Sequence, residues 1–196
     1  MGEKPGKELL KMIPSVVVNL AEAAFTCAAF VRYCKSSPPK IMLRYFTTLS
    51  NLFCAAACLL TAVFRLCGGA PKAVLLLKFV GTAAVSVTCL TVVLFLAPVV
   101  YDYRKMLSGP DFWMHLVCPV LAVASLLLWD RPDISFAGAL LGALPVVLYG
   151  ALYFVKVVVR EQWEDFYGFN RNGKWYLSCA AMLLLGLLVS FLLWIA

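Results

Sequence analysis

Six apolar runs, each broken off by charged or turn-forming residues, divide the chain from end to end. Reading their limits from that punctuation predicts helices over about 13–30, 45–64, 73–100, 112–128, 134–159 and 175–195. The first run stops before Arg32 and the Ser36-Ser37-Pro38-Pro39 break. The second lies between Arg44 and the Arg65, Gly68, Gly69, Pro71 group, and the fourth between Pro110 and the Asp130-Arg131-Pro132-Asp133 turn. A helix needs about 20 apolar residues to cross the hydrocarbon of a bilayer, and the runs are of that order. The pattern therefore predicts one all-α domain over residues 1–196, a six-helix transmembrane bundle with both termini on one side. Inside each run nearly every face is apolar, so periodicity does not say which side turns inward. Lys78 stands near the start of the third run, where a long side chain is expected to reach back to the interface. The basic segment Met1–Lys11 ahead of the first run has the outline of a signal peptide. Its apolar stretch is long, however, and no small-residue cleavage site precedes a polar domain, so it is read as a true span.

Composition agrees with the pattern. Of 196 residues, 63% are hydrophobic and 14% charged, with a mean hydropathy of +0.91, against about 45–50% and about 25% in soluble domains. Six spans of about 20 residues leave about 76 for ends and loops, which excludes a sizeable soluble domain. The net charge of +7 would suggest nucleic acid in a soluble chain. Here the Lys and Arg residues flank apolar runs on both sides, which is membrane anchoring, and no nucleic-acid partner is expected. Seven lie on the terminal side and ten on the other, too small a difference to set the orientation. The expected location is the cell membrane in a prokaryote and an endomembrane in a eukaryote. The eight cysteines form no C-x-x-C pair and sit mostly within apolar runs, as small packing residues do. A single histidine excludes a multi-histidine metal centre, and neither metal nor cofactor is expected. Gly138 and Gly142 in the fifth run have the G-x-x-x-G spacing of a close helix contact, the seam expected of a structural partner subunit, and a homo-oligomer is a further expectation.

The few polar residues within or beside the spans carry the chemistry. Thr47, Ser50 and Asn51 stand at i, i+3 and i+4 and share one face at the start of the second helix. Ordinary hydrogen bonding between helices also explains such a face. His115 falls a few residues into the fourth helix, where an interfacial imidazole bonded to a backbone carbonyl is the plain alternative. In a six-span chain the even-numbered helices begin on the same side, so Thr47 and His115 lie at similar depth in one leaflet. The segments carrying Tyr101, Asp102 and Tyr103 and Trp163, Glu164, Asp165, Phe166, Tyr167 and Gly168 open on that side too, and Asp111 is one turn before His115. A hydroxyl, an imidazole and several carboxylates on one membrane face are the components of nucleophilic catalysis. Glu22 is an acid in mid-span with Asn19 and Thr26 on its face, suited to a structural polar contact, to pocket lining or to handling a proton or ion.

The Tyr45-Phe46-Thr47 start of the second span, the His115-Leu116-Val117-Cys118-Pro119 stretch and the aromatic Trp163–Phe169 segment resemble the androgen-induced integral membrane protein family. Its members are six-span threonine hydrolases, and the animal ones cleave fatty acid esters of hydroxy fatty acids; this chain is similar to shorter prokaryotic relatives. The resemblance implies that Thr47, rather than Thr48, is the nucleophile and that His115, placed just before Pro119, is the base. Thr48-Leu49-Ser50-Asn51 and Glu164-Asp165-Phe166-Tyr167-Gly168 depart from the animal pattern. The expected activity is lipid ester hydrolysis on a membrane lipid or other acyl-chain substrate. Asn51 or Ser50 would donate to the oxyanion, and Asp111, Glu164 or Asp165 would orient the imidazole. Glu22, Asn19, Tyr101, Trp163 and Tyr167 would line the pocket. The rival expectation is a non-enzymatic small transporter or lipid-binding membrane protein in which Glu22, Asn19 and the Thr47 face line a path.

Overall fold

The computed structural model describes residues 5–196, with side chains from Met12 onward. The terminal-side basic residues Lys4, Lys7 and Lys11 lie outside the described side chains. Six helices are long and apolar enough to cross a membrane: α1 (Met12–Ser36), α2 (Phe46–Leu66), α3 (Lys72–Val100), α4 (Gly109–Leu128), α5 (Phe136–Val159) and α6 (Trp175–Ile195). No strand occurs among the described residues. The chain is an integral membrane protein built as an all-α bundle. Helix α1 continues past the expected limit at Phe30, through Arg32, Tyr33 and Lys35 to Ser36. Charge alone does not end a helix whose side chains have reached the interface. What ends it is the Ser37-Pro38-Pro39 sequence, because the residue before a proline is driven out of the helical region.

Prolines also shape the spans from within. Pro98, Pro119 and Pro145 each lack the N–H that would bond the carbonyl four residues back. In α3 the helix widens over Val92–Val100 into i→i+5 turns, and in α4 it does so over Trp113–Val117, just before Pro119. The carbonyl that Pro119 leaves free is that of His115. Before Pro145, α5 instead tightens into a 3₁₀ turn over Leu141–Ala143.

Helix α1 packs along α2, α2 along α3, and α4 lies against α1 and α3, while α5 and α6 cover the other side of α3. Helix α3 is therefore the wall between two compartments. Small residues let the backbones close up. A Cβ on Gly81 would lie 3.0 Å from the Cα of Cys54, and a Cβ on Gly142 would lie 1.9 Å from the Oγ of Ser190. Gly142 is thus spent on a crossing of α3, α5 and α6 within the chain, whereas a Cβ on Gly138 would meet only Ile134 and Ser135 of its own turn.

The compartment enclosed by α1–α4 is polar inside. Ser15, Asn19, Glu22 and Thr26 form one buried face of α1, opposite Asn51, Thr61, Lys78 and Thr82. Lys78 does not reach out to the interface: it is fully buried, and its ammonium is ion-paired and hydrogen-bonded with Asp130, in the turn after α4. Asp130 also accepts from Ser15 Oγ at 2.7 Å, Asn19 Nδ2 at 2.8 Å and Arg65 Nε at 3.1 Å. A buried ammonium is tolerated only with a partner, and here the partner is held by four donors.

Candidate functional site

On the far side of α3, the described residues line a half-open cavity of about 230 Å³ bounded by α3, α5, α6 and the first turn of α2. Its walls are mostly aliphatic and aromatic, among them Val92, Leu96, Val146, Phe154 and Met182. Thr47 lines it. The other hydroxyls around the cavity are engaged. Thr88 Oγ1 is 2.9 Å from Ser50 Oγ, Thr91 Oγ1 points at Met182 Sδ at 3.7 Å, and Ser178 Oγ donates to the Phe169 carbonyl at 2.9 Å. Tyr149 donates to the Arg44 carbonyl at 2.6 Å, Tyr153 donates to Asp165 at 2.8 Å, and Tyr167 accepts from the Phe46 N–H at 2.8 Å. The Thr47 hydroxyl alone has no hydrogen-bond partner among the described residues. It stands on the second residue of α2, at the end of the span, and is half-buried.

His115 is 3% exposed and does not line this cavity. Its Nδ1 is 2.7 Å from the carbonyl of Met106. A carbonyl only accepts, so Nδ1 carries the proton and Nε2 of the neutral ring keeps its lone pair. No hydrogen bond joins His115 to Thr47. Asn51 spans the interval between their backbones, its Nδ2 donating to the Thr47 carbonyl at 2.8 Å and to the Met114 carbonyl at 3.0 Å. Both amide protons of Asn51 are used in this way, so none is left for an oxyanion, while its Oδ1 is buried without a partner. Ser50 Oγ is likewise occupied, against the Thr47 carbonyl and Thr88.

The carboxylates expected to orient the imidazole have other partners. Asp111 is 3.9 Å from His115 Nε2 and accepts a hydrogen bond from Tyr33 of α1, so the Met106 carbonyl sets the ring orientation. Asp165 accepts from Tyr153 and from the N–H groups of Phe169 and Asn170, and so knots the loop before α6 over the cavity. Glu164 is exposed. Of the expected pocket residues, Tyr167 lines the cavity, and Tyr101 ties the loop down by donating to the Phe166 carbonyl at 2.6 Å. Trp163 is stacked under the Arg44 guanidinium. Burial raises the Tyr167 hydroxyl above its ordinary value, an effect that the Phe46 N–H lessens, so it remains a protonated donor.

Asn19 and Glu22 are far from that cavity, in the α1–α4 compartment. Glu22 Oε1 is 3.3 Å from Thr26 Oγ1, which is itself 3.3 Å from Cys118 Sγ, and Glu22 Oε2 has no partner. Cys54 and Cys58 of α2 face the same carboxyl. Sequence reading missed this grouping, and Lys78 with Asp130, because the residues come from four helices with no local motif. The available signal was an i, i+4 cysteine pair on the polar face of α2. Comparison with protein-family models, with curated proteins and with solved structures finds no match to this chain.

Proposed function

We propose that the chain is an intramembrane lipid ester hydrolase that takes an acyl chain into the cavity beside α3 and attacks its ester with Thr47. The observation that carries this reading is the unengaged Thr47 hydroxyl on a largely apolar cavity, one residue inside the start of α2, from which water can arrive. The resemblance to the androgen-induced integral membrane protein family supports the same nucleophile. In this reading Thr47 Oγ1 bonds to the ester carbonyl carbon while its proton passes through a water to Nε2 of His115. The ester C–O bond then breaks as the imidazolium returns the proton to the leaving alkoxide, and water releases the acyl-threonine by the same route in reverse. Tyr167, whose oxygen accepts from the Phe46 N–H next to Thr47, keeps its own proton to donate to the oxyanion. That assigns to Tyr167 the role first expected of Asn51 or Ser50.

A fluorophosphonate probe is the direct test. It should label the purified protein, and Thr47→Ala and His115→Ala should each abolish labelling in protein that still elutes as one species. Labelling that persists in both variants overturns the reading. A second reading, a small transporter or lipid-binding protein, draws on the buried polar face of α1. It expects loss of function with Glu22→Gln and tolerance of Thr47→Ala.

A further inference from the structure

The α1–α4 compartment holds a group of side chains that the hydrolase reading does not use. Glu22 on α1 and Cys54 and Cys58 on α2 are all 0% exposed, and one ligand atom from each lies within 4.8 Å of the others. We infer that these three residues form a binding site for a thiophilic divalent cation, with zinc as the representative ion.

Several features of the fold converge on this. The two cysteines stand at i and i+4, so their thiols leave the same face of α2 one above the other. Gly81 brings α3 against the Cys54 backbone, where any larger residue would stand 3.0 Å from its Cα, which fixes one thiol in place. Glu22 presents Oε2 with no hydrogen-bond partner although it is wholly buried, and an unsatisfied buried carboxylate oxygen calls for a missing ion or water. Zinc bonds to thiolate sulfur at about 2.3 Å, which puts two sulfurs of a tetrahedral centre about 3.8 Å apart. Donor atoms gathered within 4.8 Å are thus about 1 Å from that arrangement. Thiolates select a borderline-soft ion over magnesium or calcium, which take oxygen ligands. Cys118, sharing the Thr26 hydroxyl with Glu22, is a further sulfur donor beside this group.

Charge balance is the strongest physical support, because an uncompensated charge in this setting is prohibitive. The fully buried Lys78 is already cancelled by Asp130, while Arg65, a quarter exposed, meets the same carboxylate from the mouth of the compartment. A divalent ion that enters as Cys54 and Cys58 each give up a proton adds two positive and two negative charges. The loaded site is therefore as neutral as the empty one. Binding is an exchange of one M²⁺ for two protons, with no change in oxidation state.

The test uses the full chain in detergent, stripped with chelator and titrated with Co²⁺, then with Zn²⁺. One Co²⁺ per chain should bind with thiolate-to-cobalt charge-transfer absorption, Zn²⁺ should displace it, and about two protons should be released per ion. Cys54→Ser and Cys58→Ser should each abolish the charge-transfer band. Glu22→Gln should weaken binding by at least about tenfold, and Cys27→Ser and Cys179→Ser, at exposed positions, should leave it unchanged. Absence of saturable Co²⁺ binding, or a band that survives the Cys54→Ser/Cys58→Ser double change, overturns the inference. If the serine variants aggregate, X-ray absorption on the zinc-loaded native chain decides, and fewer than two sulfur ligands rejects the site. None of these readouts involves Thr47 or fluorophosphonate labelling, so this site and the hydrolase reading fail separately.

Discussion

Asp130 shows how one residue in a turn can govern a membrane interior. Burial works to raise its carboxyl, but the Lys78 charge and hydrogen bonds from Lys78, Ser15 and Asn19 outweigh it, and it sits below its ordinary value of 3.8. A carboxylate lowered by folding contributes stability above its unfolded value and loses it as pH falls through the folded one. Acid unfolding through this site should begin only below about pH 3.8, as followed by tryptophan fluorescence in micelles. Asp130→Asn should destabilise the fold by about 3–5 kcal/mol, since it strands the buried Lys78 ammonium. Adding Lys78→Met should recover most of that loss, because an apolar side chain needs no counter-charge. Denaturation of the two variants checks both statements, and equal instability of single and double variants would reject the ion pair as the cause. The sequence showed a lysine in an apolar run and an aspartate in the next turn but one. Nothing local said that they meet, because a helix apolar on every face gives no sign of which way Lys78 turns. Thr47, Ser50 and Asn51 were legible as one polar helix face, but not their division of contacts: Thr88 of α3 for Ser50, and Met114 of α4 for Asn51.

At the scale of the helix, the six spans were readable because length and hydropathy are properties of a segment alone. Their crossings were not, since a crossing depends on which small residues face each other. Gly142 illustrates this. The G-x-x-x-G spacing with Gly138 pointed to a seam between chains, yet Gly142 lies where α5 meets α3 and α6, with Ala83 Cβ and Phe79 each 3.1 Å from a would-be Cβ. Gly142→Ala should cost about 1–3 kcal/mol, the range of overpacking in a close-fitting interior. Because the nearest obstacle is Ser190 Oγ at 1.9 Å, Ser190→Ala should relieve part of the loss but not all of it, as Ala83 and Phe79 remain. Thermal unfolding of the single and double variants reads this directly, and a Gly142→Ala protein as stable as the native chain would show that α5 and α6 are not held at this crossing. Pro119 works at the same scale. By leaving the His115 carbonyl without its i→i+4 donor it widens the turn that carries the imidazole, so the position of the ring relative to α2 depends on a proline four residues on.

Taken whole, the molecule divides its polar and apolar interiors between the two sides of α3. The α1–α4 side holds charge that is internally cancelled, and the α5–α6 side holds an apolar cavity with one unengaged hydroxyl. Changes confined to the cavity wall should leave the Glu22, Cys54 and Cys58 group intact, because sites without shared contacts act additively. Gly150 offers a clean trial of this separation. It lines the cavity, and a Cβ placed there meets nothing within 4 Å, so a large side chain can grow into the space that an acyl chain would use. Gly150→Phe should reduce fluorophosphonate labelling of Thr47 by at least about tenfold, equivalent to about 1.4 kcal/mol of lost access, while Gly150→Ala labels like the native chain. The same Gly150→Phe protein should bind Co²⁺ at Glu22, Cys54 and Cys58 with native stoichiometry. Labelling unaffected by the phenylalanine would count against this cavity as the acyl-chain site of the proposed hydrolase. Loss of cobalt binding would mean instead that α3 transmits strain between the compartments rather than separating them.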